Sequence, residues 1–372
     1  MPRLRAPEED PLAALLPRAP RRLALALLPT PVTRAAWLDA GGAEVWIKRD
    51  DQSAPIYGGG KVRKLEYVLA NPPHDDGRPI VSVGGIGSHH LVALALYLQP
   101  MGRALHAWTF DQVVTPHVRR NLATLVACGA QLWDVKTRPG LAWAALRYYA
   151  HQLLRLRRPA RFLTAGASTG LGSLGFVVAG LELGEQIERG ALPRPRRIYI
   201  TGGSAGSAGG LALGLALARV PTHLRIVSAV EPVLFNARAL RSMLRAGYRA
   251  LRAAGLPPRR GGARGLLGGA GVTWSIDPTQ VGPGYATPTA AAAEAVAAAR
   301  EHDLSLETTY TGKCAAALRA DLEAGALDGP ILLWNTHAST DLTPYVAPGW
   351  QQRLSPRLQA VLERAALERP DS

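Results

Sequence analysis

Short apolar runs rich in β-branched residues alternate with longer Ala/Leu-rich runs from about residue 80 onward. The short runs predict strands at 80–85, 104–110, 130–136, 160–166, 196–203, 223–230, 272–278 and 329–336. The longer runs predict helices near 88–99, 115–128, 140–156, 169–189, 207–219, 235–254, 288–302 and 313–324. Strands that alternate with helices are typical of parallel sheets covered on both faces, and this number of strands predicts two sheets.

Such a fold fixes where the chemistry lies, because ligands bind at the carboxyl ends of parallel strands, beside helix N-termini. Candidate site residues are therefore expected at those positions. The stretch richest in Pro and Gly, 255–271, is either a domain boundary or a surface excursion.

Composition excludes a wholly disordered chain, a disulfide framework and a cysteine zinc cluster. With 372 residues, 47% of them hydrophobic, the chain can bury a substantial core. Cys128 and Cys314 are too few for a disulfide framework or a cysteine zinc cluster, and they indicate a reducing, cytoplasmic compartment. The apolar run 23–28 is too short for a signal-peptide core, and 162–181 is rich in Gly, Ser and Thr, so we expect no membrane segment.

The formal net charge is +15, and most of the basic residues are arginines. Arginines cluster at 17–22, 155–161, 194–197 and 259–264, beside prolines or glycines, and no single Arg-rich helix is evident from the sequence. We interpret the charge as a solvated surface and expect no specific nucleic-acid partner. A basic nucleic-acid binder stays open as the non-enzyme alternative.

The first segment with chemistry is a strand-like run ending in Asp50 and Asp51, followed by three glycines, 58–60, and Lys61. A lysine amine can form an imine when burial keeps it partly unprotonated, whereas arginine cannot. The alternative is a surface lysine beside a flexible turn.

The second segment is 83–90, in which glycines after a strand lead to Ser88, His89 and His90. The N–H groups that open a helix bind carboxylates, although Ser88 fits a simple N-cap equally well. No acidic residue or third histidine stands nearby at ligand spacing, so we expect no metal site.

The third segment is 198–210, a strand followed by a Gly/Ser-rich loop and a helix. Consecutive loop N–H groups, with the hydroxyls of Ser204 and Ser207, predict a phosphate site. Its glycines do not fit the dinucleotide fingerprint. Residues 202–206 do match the nucleophile elbow of hydrolases, and Asp277 and His337 follow in triad order, which leaves a serine hydrolase as a rival.

The fourth set lies towards the C-terminus: Tyr285 after Gly284, then Tyr310 and Thr311, and finally 333–337 with Thr336. Tyrosine hydroxyls can serve as acid–base groups or carboxylate donors. The alternatives are core tyrosines and simple helix or strand caps at Thr311 and Thr336.

Read in order, these segments resemble the fold-type II pyridoxal-phosphate family of D-cysteine desulfhydrase and 1-aminocyclopropane-1-carboxylate deaminase. The resemblance covers about 25–345, and the lysine block is its most specific part. The matching blocks are 28–31, 48–51, 58–66, 84–88, 166–176 with 182–183, 203–207, 284–285 and 310–313.

The resemblance implies an α/β fold of the tryptophan synthase β type, with two domains, parallel sheets and pyridoxal phosphate in the cleft between the domains. It places 1–54 and 166–372 in a large domain and 55–165 in a small one. It also implies a small amino-acid substrate and a homodimer.

Carried over position by position, Lys61 would bond the cofactor as an imine, and Ser88 would meet the substrate carboxylate or move a proton. Tyr285 and Tyr310 would flank the reacting carbons. The remaining implied cofactor contacts are His89 at the ring hydroxyl, Thr311 near the pyridine nitrogen, Thr336, and the phosphate loop of Gly203, Ser204, Ala205, Gly206 and Ser207.

The chain departs from the family pattern around the expected cofactor. Gly60 stands where asparagine is usual, His89 replaces asparagine, and Ala205 replaces a glycine. Residues 335–338 read Asn-Thr-His-Ala in place of His-Thr-Gly-Gly, and Glu307-Thr308 replaces Asp-Pro. These changes point to a divergent substrate or to a catalytically silent cofactor-binding relative.

We expect a lyase that performs α,β-elimination, as D-cysteine desulfhydrases do, rather than opening of a cyclopropane ring. The deaminase branch has an acidic residue after the catalytic tyrosine, whereas this chain has Thr311. A neutral partner makes the pyridine a weaker electron sink, which elimination tolerates because the leaving group takes up the electrons.

Overall fold

The computed structural model describes residues 3, 5–136, 140–154 and 159–367. Within these residues the strands are β1 (Val32–Arg34), β2 (Ala43–Arg49), β3 (Ile80–Gly85), β4 (Leu105–Phe110), β5 (Gln131–Lys136), β6 (Arg161–Leu163), β7 (Arg197–Gly202), β8 (Thr222–Ser228), β9 (Val272–Asp277) and β10 (Gly329–Asn335).

The helices are α1 (Pro11–Leu15), α2 (Gly60–Val68), α3 (His89–Leu98), α4 (Pro116–Ala127), α5 (Leu141–Leu154), α6 (Gly170–Glu188), α7 (Gly206–Leu217), α8 (Ala237–Ala253), α9 (Gly262–Gly269), α10 (Ala290–Arg300), α11 (Thr311–Glu323) and α12 (Pro356–Leu367). No helix in the described ranges is both long and apolar enough to cross a bilayer.

The chain divides into two units. Of the described residues, those within 3–71 and 166–339 form the larger unit, and those within 72–165 and 340–367 form the smaller. In the described part of the larger unit, one sheet has the order β1-β2-β10-β7-β8-β9 and is parallel except for β1, which runs antiparallel to β2. In the smaller unit, a parallel sheet has the order β5-β4-β3-β6.

The large sheet is covered on both faces, which explains its nearly continuous apolar strands. Ile331 to Trp334 of β10 are all buried between β2 and β7. One face packs on α6, α7 and α8, and the other packs on α10 and α11. The predicted α/β class with two parallel sheets is confirmed.

Every predicted strand and helix is present, with described ends shifted by at most three residues. The last residues of the predicted helix 140–156 and most of the cluster 155–161 lie outside the described residues. The stretch 255–271 is a surface excursion that contains the unpredicted helix α9. The absence of an Arg-rich helix was wrong, because α8 carries five arginines.

The units differ from the predicted domains at two segments. Residues 55–71 lie with the larger unit, because α2 packs closely on α6: a Cβ on Gly175 would fall 2.0 Å from the carbonyl oxygen of Arg63. Residues 340–367 lie with the smaller unit, where Arg357 donates to Asp134 (2.6 Å) and Asp111 (2.5 Å).

Buried ion pairs hold α2 in place within the larger unit. Arg63 donates to both oxygens of Asp50 (2.6 and 3.0 Å) and to Glu182 of α6 (2.9 Å), and all three side chains are buried. Lys48 donates to the same Glu182 (2.5 Å). The paired acids noted in the sequence are therefore structural at Asp50, and they fix the helix that carries Lys61.

Glu182→Leu should destabilise the protein by about 3–5 kcal/mol, because it leaves Arg63 and Lys48 short of a buried counter-charge. Burial opposes ionisation of Glu182, but Arg63 and Lys48 outweigh it and lower its pKa to about 2. Its stabilisation is therefore full above its unfolded pKa of about 4.3 and is lost as pH falls through about 2.

Urea unfolding from pH 7 to pH 2 measures both effects. The difference between wild type and Glu182→Leu should stay constant above about pH 5 and shrink below about pH 4. Glu188→Leu, at an exposed position on the same helix, is the control and should change stability by less than about 0.5 kcal/mol. Equal effects of the two substitutions would contradict the buried network.

Candidate active site

Three glycines carry the chain between the ends of two neighbouring strands. Gly59 has φ +83°, and a Cβ there would fall 2.7 Å from the carbonyl oxygens of Thr336 and His337, just beyond β10. Gly59 donates to the carbonyl of Asp50 (2.7 Å) and Gly60 to that of Thr336 (3.1 Å). The helix α2 starts at this contact, so Lys61 stands in its first turn at the carboxyl edge of the sheet.

Lys61 is half-buried, and its amine lies 6.0 Å from the ring centre of Tyr310. Burial lowers its pKa, and the negative charge of Glu307 opposes that shift. The net direction favours the neutral amine, which is the nucleophilic form.

Lys64, one turn further along α2, is a second amine that sequence reasoning did not assign. It is buried and donates to the carbonyl of Gly166 (3.2 Å) and to Ser168 Oγ (3.1 Å). Burial and the positive charge of Lys61 lower its pKa well below the usual value. An anion placed here would restore the ammonium form. The spacing Lys-x-x-Lys was the available signal, since it puts both amines on one face.

The predicted phosphate loop leads directly into α7. Ala205 adopts the left-handed conformation (φ +62°), and α7 begins at Gly206 without a side-chain cap. The N–H groups of a helix's first turn have no partner within the helix. A Cβ on Gly206 would fall 2.6 Å from Ser168 Oγ and 2.8 Å from Lys64 Nζ, so this glycine keeps the space open.

Ser204 completes the donor set, since its hydroxyl lies 2.7 Å from Ser168 Oγ. An uncapped helix N-terminus, serine hydroxyls and a buried amine all converge on one position in the larger unit. Such a set suits a phosphate dianion. Because Ala205 still adopts the left-handed turn, its replacement of glycine leaves the backbone donors in place.

Tyr310 and Tyr285 form a hydroxyl pair next to this loop. Tyr310 donates to Tyr285 through the two hydroxyls (3.0 Å), and the rings meet edge to face at 6.2 Å. Thr201 Oγ1 donates to the carbonyl of Tyr310 (3.2 Å), and a Cβ on Gly203 would fall 3.3 Å from the Tyr310 ring. The pair is therefore positioned by β7 and by the loop at 203–207.

Ser88 and His89 lie in the smaller unit, at the end of β3. Ser88 is the N-cap of α3, with Oγ accepting from Leu91 N (3.4 Å). The His89 ring lies 4.5 Å from that of His117. His90 points elsewhere, with Nε2 2.9 Å from Ser82 Oγ. The N-cap alternative thus holds for Ser88, and any role towards a ligand would be additional.

Comparison with known families shows which family the chain belongs to and which cofactor that family uses. The model of the family described as "Pyridoxal-phosphate dependent enzyme" matches residues 23–336. The chain belongs to this family. Its predicted family, enzyme class and cofactor, pyridoxal phosphate, are confirmed.

The similar proteins include a desulfhydrase and an epimerase. This chain is 29% identical over 334 residues to a D-cysteine desulfhydrase from Salmonella paratyphi A, covering 87% of this chain and 96% of the relative. This chain is 28% identical over 320 residues to nocardicin C-9' epimerase from Nocardia uniformis subsp. tsuyamanensis, covering 82% of this chain and 89% of the relative. A solved structure of an ACC deaminase homologue shares the fold, with TM-score 0.72, 21% identity, and 88% and 95% coverage.

The residues of the larger unit fit pyridoxal phosphate. The cofactor brings a phosphate dianion, which suits the uncapped α7 and Lys64, and an aldehyde, which suits the amine of Lys61. Lys61, Tyr310, Tyr285, Thr311, Thr336 and 203–207 all lie in this unit, at the carboxyl ends of β7 and β10 or on loops tied to them.

Glu307 is a further residue that this enzyme uses to place its site. Its carboxylate accepts from the N–H groups of Thr309 (2.7 Å), Tyr310 (2.8 Å) and Thr311 (3.0 Å), while its own N–H donates to Thr311 Oγ1 (3.1 Å). It therefore caps α11 and orients the two residues predicted to face the cofactor. An acid four residues before the first residue of a helix was the signal available in the sequence.

Two charged residues hold the loop of Tyr285. Glu231, after β8, accepts from the N–H of Tyr285 (3.1 Å), and the buried Lys313 of α11 donates to the carbonyl of Val281 (2.7 Å). These contacts give a structural reason for Lys313 in the Tyr-Thr-Gly-Lys block. They also tie the Tyr285 loop to the helix that follows Tyr310.

The departure at Gly60 has a steric reason. A Cβ there would fall 2.8 Å from Cζ of the Phe176 ring and 3.3 Å from Cβ of Thr336, so an asparagine would not fit. At the end of β10, Asn335 is buried and accepts from His337 N (3.1 Å) while donating to Ser305 O (3.1 Å). Asn335 thus orders the turn that contacts the glycines.

The structure does not support the Ser204–His337–Asp277 triad of the hydrolase alternative. Asp277 accepts from Arg225 (3.0 Å) and from Thr279 N and Oγ1 (2.9 and 2.7 Å), and Ser204 lies against Ser168. Among the described hydrogen bonds, none joins Ser204 or Asp277 to His337. The glycines of the elbow instead flank the left-handed turn that leads into α7.

Proposed function

We propose that this enzyme catalyses α,β-elimination on a small amino acid and releases a keto acid and ammonia. The observation that carries the proposal is the turn at 310–311. Thr311 is buried, and its hydroxyl oxygen accepts from Glu307 N, so a neutral group directly follows the catalytic tyrosine. Curated relatives named D-cysteine desulfhydrase, matched over nearly their full length, support the same reaction class.

Pyridoxal phosphate, when bound, acidifies the Cα–H of an amino acid joined to it. Lys61 would bond the cofactor, and its amine would accept the Cα proton of a bound amino acid. The Tyr310–Tyr285 pair would donate a proton to a departing thiolate. Lys64, Ser204, Ser207 and the N–H groups of 203–207 would hold the phosphate, and Thr311 would be the neutral partner of the pyridine nitrogen.

The remaining assignments come from the resemblance alone. Ser88 binds the substrate carboxylate, His89 meets the ring hydroxyl, and Thr336 supports the ring. A homodimer and a cytoplasmic location belong to the same proposal. The latter agrees with the two free thiols, Cys128 and Cys314.

Substrate assays test the reaction type. D-cysteine, L-cysteine, β-chloro-D-alanine and 1-aminocyclopropane-1-carboxylate are incubated with the holoenzyme, and keto acid is quantified. We expect pyruvate from a cysteine or from β-chloro-D-alanine. Turnover of the cyclopropane substrate alone, giving 2-oxobutanoate, would contradict elimination. A cofactor spectrum that no small amino acid perturbs would instead identify a silent homologue.

Epimerisation is the second candidate, because one full-length relative is named as an epimerase. Both reactions begin with removal of the Cα proton, and they differ in whether a β-substituent leaves. Incubation in D₂O separates them: epimerisation places deuterium at Cα and inverts configuration without releasing keto acid. That outcome with several amino acids, and no pyruvate from any, would favour the epimerase.

Glu307→Gln should shift the pH dependence of cofactor uptake to lower pH. Uptake by the apo-enzyme requires the neutral amine of Lys61, so its rate rises with pH through the pKa of Lys61. The charge of Glu307 raises that pKa, and removing it therefore lowers the pH needed. Stopped-flow absorbance between pH 5 and pH 9 measures the profile.

Glu301→Gln, at an exposed position, is the matched control and should leave the profile unchanged. A profile for Glu307→Gln that moves to higher pH, or does not move, would contradict the electrostatic link. Loss of α11 helicity in the variant would instead show only the capping role, and circular dichroism monitors that separately.

A further inference from the structure

A segment with arginines and no acidic residues lies apart in the sequence from the candidate site residues. Between 232 and 276 the chain has eight arginines and no Asp or Glu, a local charge of +8 against the net +15. We name these residues the α8 surface: Arg238, Arg241, Arg245, Arg249, Arg252, Arg259, Arg260 and Arg264.

The helix aligns five of these arginines. Those of α8 follow one another at intervals of three, four, four and three residues, which puts them on one stripe about 21 Å long. The opposite face is buried through Leu240, Leu244 and Leu251. The stripe therefore stays fixed on the surface of the larger unit.

The loop after α8 extends the stripe. Arg259 N donates to Tyr248 Oη (2.9 Å), so Arg259 and Arg260 are held against α8. The guanidinium of Arg241 lies 5.6 Å from the Trp274 ring. Seven of the eight arginines are exposed, Arg252 being the half-buried exception, and within the described ranges none of the eight forms an ion pair with a carboxylate.

We propose that the α8 surface binds the phosphate backbone of duplex nucleic acid without sequence preference. Guanidinium groups bind phosphates in bidentate fashion, and a linear stripe matches a linear polyanion better than a compact ligand. No aromatic side chain is exposed along α8 for base stacking, which favours a duplex over a single strand.

A membrane surface fits the observations less well. An interfacial helix inserts its apolar face, and that face of α8 is packed in the core. Only Val233 (83% exposed) and Leu234 (45% exposed), just before α8, would offer apolar contact. Anionic vesicles therefore form a separate arm of the test.

The test measures binding of the holoenzyme to a fluorescein-labelled 24-base-pair duplex of mixed sequence, from 50 to 300 mM NaCl. We expect a Kd in the micromolar range or tighter at 50 mM NaCl, and a linear fall of log K with log salt. R238Q/R245Q/R249Q should weaken binding at least about tenfold and reduce the salt slope by about three.

A variant of equal net charge supplies the control. R194Q/R219Q/R300Q removes three exposed arginines from other parts of the larger unit and should keep wild-type affinity and slope. Equal effects of the two triple variants, no duplex binding at 50 mM NaCl, or binding only to anionic vesicles would each overturn the proposal. The cofactor absorbance of both variants should match wild type, which verifies their fold.

Discussion

Lys61→Ala should lose covalent cofactor attachment and at least about 10²–10⁴-fold of any turnover. The amine is both the group that bonds pyridoxal phosphate and the proposed proton acceptor, and no neighbouring side chain offers both functions. Lys64 does not replace it, because its amine is directed to Gly166 O and Ser168 rather than to the Tyr310 ring.

The measurement combines visible absorbance with keto-acid release for wild type, Lys61→Ala and Lys136→Ala. Lys136 is the lysine outside the family blocks, so its variant should retain the chromophore and activity. Addition of a primary amine should restore part of the activity of Lys61→Ala, since the defect is chemical. Full activity of Lys61→Ala without rescue would refute the assignment.

Lys64→Met should weaken pyridoxal phosphate binding by about 10- to 100-fold. A hydrogen bond to a charged group contributes about 1.5–3 kcal/mol, and methionine keeps the apolar stem while removing the donor. The amine lies where a Cβ on Gly206 would touch it, at the uncapped start of α7. The loss should therefore fall on the phosphate alone.

Pyridoxal, which lacks the phosphate, provides the matched ligand. Titrations of both apo-proteins with the two ligands should show equal affinity for pyridoxal in wild type and variant, and a difference only for pyridoxal phosphate. A parallel loss for both ligands would mean that Lys64→Met disturbs α2 or Lys61 rather than a phosphate contact.

The sequence predicts the sheets, which the structure confirms, and it proposes the candidate site residues from the same kind of local signal. Alternating apolar runs located the strands, and glycines after strands located Lys61 and the loop at 203–207. The contacts that it does not predict join residues far apart in the chain. Lys64 meets Ser168 104 positions away, and Glu182 meets Lys48 134 positions away. Contacts at such sequence separations cannot be inferred from the local pattern of apolar and polar residues.

Other differences come from packing. Residues 60–68 belong with α6 because Gly175 admits the α2 backbone, a contact that composition does not reveal. The helix α9 formed in a Gly-rich stretch because Leu266 and Leu267 are buried in the core of the larger unit. The arginines of α8 lie outside the clusters at 17–22, 155–161, 194–197 and 259–264, so the prediction from those clusters does not include their helical spacing.

We propose that Lys61 bonds the cofactor and that the loop at 203–207 holds its phosphate. The holoenzyme is reduced with borohydride and digested, and the modified lysine is located by mass spectrometry. The chain has five lysines, at 48, 61, 64, 136 and 313. We expect a pyridoxyl-phosphate mass on the peptide containing Lys61 and on no other. Modification at another lysine, or a colourless protein that cannot be reconstituted and is labelled at Ser204 by a fluorophosphonate, would contradict it.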